Sequence, residues 1–151
     1  EFNPPRKWTL GRDLSYTSAD LTVDEIASLK GVGVKVKRDT SKTETITVPT
    51  GFVTDLASVP RAMWAFIAPF DVARAAIIHD LLYKTIRQYS WKMKDKEDAD
   101  LIAKAKKASD KVFYHAMKDA SPSVPHWKIY SSWKAVDLFG NSSIVPNKDN
   151  I

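Results

Sequence analysis

Asp71-Val72-Ala73-Arg74-Ala75-Ala76-Ile77-Ile78-His79-Asp80-Leu81-Leu82-Tyr83 is the stretch on which the fold turns. Apolar residues flank the His79-Asp80 pair on both sides, so a helix here is apolar around most of its circumference and has to be central. Asp71 can cap its start, and the helix is expected to run to about Ile86. A histidine beside an aspartate in such a helix is expensive to bury unless both find partners. Either a polar network or a metal ion has to answer for them. The two side chains stand about 100° apart on the helix, and Tyr83 lies one turn beyond His79 on the same face.

On the N-terminal side the chain reads as β structure. Lys7–Leu10 begins an extended segment, Val32–Lys37 alternates with strand period, and Thr45–Val48 alternates and is β-branched. Asp39–Lys42 has turn composition, which predicts a hairpin between the last two runs. Thr22–Leu29 predicts a short helix ending near Gly31, and Phe52–Thr54 predicts a last short strand after the break at Pro49-Thr50-Gly51. Helices dominate from there on. Ser58 is placed to cap a helix carrying Trp64 and Phe66, a third helix is expected over Asp95–Ala120, and a fourth runs from Pro125 to Gly140. The class is α+β: N-terminal antiparallel strands with a hairpin, then a bundle of about four helices. Residues 1–140 form one domain, and 141–151 read as an irregular tail.

The chain has 151 residues, 44% of them hydrophobic, 27% charged and none cysteine. A sizeable core is therefore available, and thiolate metal sites and disulfides are excluded. The longest uncharged apolar stretches, such as Ala62–Phe70, fall far short of the roughly 18–20 residues that span a bilayer. The net charge of +5 is modest. Its lysines concentrate between Lys92 and Lys118, but Asp95, Glu97, Asp98, Asp100 and Asp110 are interleaved with them. That mixture reads as a solvated helix surface, and a nucleic-acid partner is not expected.

Chemistry centres on His79 and Asp80. Asp55, at the turn leaving the last strand, together with His79 and a third carboxylate, would supply ligands suited to zinc or a similar divalent ion. A metal-bound water would then be the nucleophile of a hydrolysis, with Asp80, Tyr83 and Arg61 as the candidate catalytic groups beside it. The helical wheel of the third helix puts Asp98 on the arc of Ile102, Ala105, Val112, Phe113 and Ala116, and Asp100 nearly opposite. In the alternative reading the pair is a satisfied core network, with Arg61 or Arg74 neutralising Asp80 and Tyr83 bonded to His79. His115 and His126 read as surface or cap residues. Trp91, Trp127 and Trp133 read as packing anchors.

Pro49-Thr50-Gly51-Phe52-Val53-Thr54-Asp55-Leu56-Ala57-Ser58-Val59-Pro60-Arg61 resembles the signature of domain-of-unknown-function family 1353, and Ala75–Tyr83 resembles its second block. Ala99-Asp100 with Leu101-Ile102 resembles a third, weaker block, and Ile129–Gly140 its terminal helix. The resemblance covers roughly residues 45–140. It implies a bacteriophage or prophage origin and groups Thr54, Asp55, Ser58, Arg61, His79, Asp80, Tyr83 and Asp100, which favours Asp100 over Asp98. Ala103 departs from it, standing where a bulky aromatic is usual. The His-Asp pair is also similar to that of HD-type metal phosphohydrolases, but those need another histidine upstream, and His115 and His126 both come later. The family carries no settled activity to transfer, and for a chain of that origin the expectation is a virion-associated protein (a tail, baseplate or capsid accessory subunit) located in the virion or the host cytoplasm. Its partners would be other phage structural proteins, with oligomers possible. The competing reading is a small metal-dependent hydrolase acting on the host cell wall.

Overall fold

The computed structural model describes residues 2–3, 7–18, 20–38, 43–54, 73–93, 98–119 and 126–146. Among them the order is β1 (Phe2–Asn3), β2 (Lys7–Thr9), β3 (Leu14–Ser18), α1 (Val23–Gly31), β4 (Val36–Arg38), β5 (Glu44–Val48), β6 (Val53–Thr54), α2 (Ala73–Met93), α3 (Ala99–Lys118), α4 (His126–Phe139) and a 3₁₀ helix (Gly140–Ile144). The fold is α+β, with the strands first and the helices after. The strands form two antiparallel three-stranded sheets, β1-β2-β6 and β3-β5-β4. The predicted hairpin is present, with Val36 opposite Ile46 and Arg38 opposite Glu44. The expected helix over 58–68, and Asp71 as a cap, lie outside the described residues.

Local chemistry sets the boundaries. The Thr22 hydroxyl accepts from the Glu25 N–H at 3.2 Å, and the Glu25 carboxylate accepts from the Thr22 N–H at 2.8 Å, a reciprocal box that starts α1. At the other end Val32 caps the helix, Gly33 takes φ +105°, and the Val34 N–H returns to the Leu29 carbonyl. That turn uses up residues expected to be strand, so β4 begins only at Val36, although Val32 and Val34 are buried as the alternation required. Strand β3 went unread in the sequence. Its Tyr16 and Ser18 face inward, while Ser15 and Thr17 face solvent and bond Thr47 and Thr45 across the ladder.

Helix α2 runs to Met93, seven residues past the expected end. Beyond Ile86 its inward face is polar but still buried: Arg87 donates to the Ser143 carbonyl at 3.1 Å and Ser90 is covered. Helix α3 is shorter than expected because Asp98 caps it, accepting from the N–H groups of Asp100 and Leu101. The start of the tail is ordered as the 3₁₀ helix, which packs on α2 and α4. Two apolar clusters result. One joins the β3-β5-β4 sheet, α1, α2 and α3 through residues such as Leu29, Ile46, Val48, Leu82 and Val112. The other joins α2, α3 and α4 through Ala76, Phe113, Met117, Ile129 and Val136.

Candidate functional site: a buried polar cluster on Asp110

His79 sits where the two apolar clusters meet, and its partner is a carboxylate from the facing helix. His79 Nε2 lies 2.8 Å from Asp110 Oδ1, and the Tyr83 hydroxyl donates to the same oxygen at 2.6 Å. Asp110 Oδ2 takes the Lys106 ammonium at 2.8 Å, one helical turn back on α3. Lys106 directs its other donors to the carbonyls of Val136 (3.3 Å) and Asp137 (3.2 Å), in the last turn of α4. All three ammonium protons are thus spent. A cation at a helix C-terminus is also favourable to the helix dipole. One lysine thereby ties α3 to α4, and one aspartate ties α3 to α2.

Burial is nearly complete: His79 is 0% exposed, Tyr83 0%, Asp110 1% and Lys106 5%. Burial alone would push the Asp110 carboxyl up. The bonds and charge from His79, with those from Lys106 and Tyr83, outweigh it and hold the carboxyl below its ordinary range. An ionised carboxylate only accepts, so Nε2 of His79 is the donor. The Tyr83 phenol is pushed well above its ordinary value, first by burial and then by the Asp110 charge, so it stays a protonated donor. The imidazole packs against the Tyr83 ring at 4.0 Å and the Phe113 ring at 4.9 Å.

Gly140 completes the cluster. A Cβ there would overlap the Tyr83 hydroxyl and stand 3.2 Å from ring atoms Cε2 and Cζ. The glycine expected as a helix terminator is therefore also required by this close approach.

Asp80 has a different anchor. The Thr54 hydroxyl of β6 donates to its Oδ2 at 2.5 Å, with both residues 3% exposed, which fastens the β1-β2-β6 sheet to α2. Thr54, His79 and Asp80 each make further contacts. Asp55 and Arg61 lie outside the described residues, as does Ser58. Arg74 does not neutralise Asp80: its guanidinium is exposed and donates to the Ser15 carbonyl at 2.8 Å. Tyr83 bonds Asp110 rather than His79.

The carboxylate that meets His79 is Asp110, and the structure brings neither Asp98 nor Asp100 to it. Asp98 is an exposed helix cap, and Asp100 is exposed and paired with Lys104 at 2.9 Å. Both stand at the far end of α3 from Asp110, roughly 15 Å or more along its axis at 1.5 Å per residue. Asp110 and Lys106, which the interleaved charges of α3 assign to a solvated surface, are core. The sequence held one signal for them: on the α3 wheel they adjoin Phe113 and Met117, both fully buried. Among the described residues no three acidic or histidine side chains converge as a metal ion would need.

Residues 33–136 match the model of a family described as a protein of unknown function, DUF1353. The chain belongs to that family. Its matched span contains Lys106, Asp110, His79, Asp80 and Tyr83, and stops just short of Gly140. No curated protein and no solved structure matches the chain. The DUF1353 assignment thus brings no activity with it, and function has to be argued from the geometry.

Proposed function

We propose that this DUF1353 protein is a bacteriophage-encoded, virion-associated accessory subunit of a tail, baseplate or capsid. In that reading its polar cluster holds helices α2, α3 and α4 in register. The observation that carries it is the saturation of Asp110, which takes three donors from His79, Tyr83 and Lys106 in a site closed to solvent. A group that must meet a substrate gains nothing from such enclosure, whereas a core network gains rigidity. A subunit also needs a surface for neighbours. Trp127, Tyr130 and Leu138 share one face of α4 and are each at least half exposed, contrary to the packing role expected for Trp127. No helix among the described residues is long and apolar enough to cross a membrane.

Mass spectrometry of purified particles produced from the genome that encodes the chain tests this. Its peptides are expected at a fixed ratio to the major structural proteins. Recovery only in the unassembled fraction would overturn the assignment.

One observation favours the second reading, a metal-dependent hydrolase. The Thr54–Asp80 bond brings the residue before Asp55 against α2, one position from His79. A carboxylate behind a histidine is also how ligating imidazoles are commonly oriented. Zinc-dependent clearing of a peptidoglycan suspension, lost in His79→Ala, would select that reading.

A further inference from the structure

A groove of about 740 Å³ opens on the other side of Lys106, between the end of α2, the start of α3 and the 3₁₀ helix. Its walls are mainly apolar, from Trp91, Ile102, Ala103 and Ile144, and its size is that of sites holding a compact organic body. One feature of the lining is out of place. Half-buried Asp137 is the one acidic residue of that lining, and in the last turn of α4 its carboxylate opposes the helix dipole. Among the described residues no donor bonds that carboxylate and no cation lies within 4 Å of it. The nearby Lys106 ammonium is spent on Asp110 and on two main-chain carbonyls. An acid that costs its own helix stability and meets no counter-charge among the described residues is open to a cation from outside the fold.

We propose that this groove receives a segment of a partner protein that presents an apolar side chain next to an arginine or lysine. The apolar group would lie between Trp91, Ile102 and Ile144, with the cation on Asp137. Lys107, exposed on the α3 wall, would offer a donor to a main-chain carbonyl of the segment. The inference rests on the reading of the chain as an assembly subunit and names the chemistry of one contact.

The test is a methyl and indole NMR titration of the full chain with the capped peptides acetyl-Leu-Arg-Leu-amide and acetyl-Leu-Glu-Leu-amide. The overall charge of +5 favours the acidic peptide, so selection of the basic one has to come from a local carboxylate. Saturable shifts confined to Trp91, Ile102 and Ile144 are expected with the arginine peptide. Binding should weaken about threefold to fivefold in Asp137→Asn, the worth of a partly exposed ion pair, and disappear in Ala103→Trp, which fills the groove. Equal or tighter binding of the glutamate peptide, shifts elsewhere, or no saturation in the millimolar range would overturn the proposal. So would loss of folding in Asp137→Asn, since that residue is argued to serve no stabilising role. Groove binding in a chain absent from particles would leave this inference standing and remove the virion reading.

Discussion

Replacing Asp110 with asparagine keeps the shape of the side chain and removes its charge. Asparagine has one acceptor oxygen where the carboxylate has two. If that oxygen faces His79 and Tyr83, the amide N–H groups confront the Lys106 ammonium. If it faces Lys106, they confront the donors of His79 and Tyr83. Either orientation leaves donors opposed inside a closed site. Breaking a buried ion pair by removing one partner typically costs about 3–5 kcal/mol. Lys106 retains the carbonyls of Val136 and Asp137, so the lower end applies, about 3 kcal/mol. For a chain of this length that lowers the melting temperature by roughly 6–12 °C. The dependence on pH has a definite sign. The Asp110 carboxyl is held below its ordinary range, so its contribution is present above the unfolded value of about 4 and is lost as pH falls through the lower native value. Urea unfolding at pH 7 and through the acid range measures both effects, with Asp100→Asn as the exposed control that leaves stability unchanged. A loss below about 1 kcal/mol at pH 7, the worth of one ordinary neutral hydrogen bond, or a gap that does not narrow in acid, would refute the reasoning.

Other perturbations read out separate parts of the fold. Gly140→Ala should cost about 1–3 kcal/mol through overlap with the Tyr83 hydroxyl, and Tyr83→Phe in the same chain should recover part of that loss in a double-mutant cycle. Thr22→Ala, which removes one half of the box on α1, should cost about 1 kcal/mol by chemical denaturation. Burial pushes the Tyr16 phenol up to about 12, so the protonated form is favoured in the fold. Its contribution is intact below the unfolded value of about 10 and declines as pH rises through the native one. Tyr16→Phe should therefore flatten the alkaline limb of a pH–stability curve while changing the neutral region little.

Much of this fold is written locally. Thr22–Leu29 mark a short helix ending near Gly31, the β-branched run of β5 a strand, and the apolar stretch around His79 a buried helix. These signals depend on neighbours in sequence, so they survive without the tertiary context. Where the chain makes a boundary with distant partners, the signal weakens. The extension of α2 past Ile86 depends on Arg87 reaching the Ser143 carbonyl, fifty-six residues away. The candidate site shows the same limit most clearly. Helix α3 carries two ion pairs with the same spacing, Asp100–Lys104 and Lys106–Asp110. The first is open to water, with side chains 76% and 64% exposed, and the second is closed, at 7% and 2%. Spacing along one helix cannot separate them. The covering residues Val136 and Asp137 come from α4, and His79 and Tyr83 from α2. The sequence therefore shows that His79 needs a partner, while its only pointer to Asp110 is the place of that residue beside Phe113 and Met117 on the α3 wheel.

The role of His79 is best tested by thermal unfolding of the purified chain in EDTA and in excess zinc. With its imidazole committed to Asp110 as part of the core, the melting temperature should be the same in both. A ligand held at 100 times its dissociation constant adds about 2.7 kcal/mol to the native state, so a zinc site would raise the midpoint by roughly 5–11 °C. A zinc-dependent rise of that size, absent in His79→Asn, would contradict a structural role and place a metal centre at this histidine.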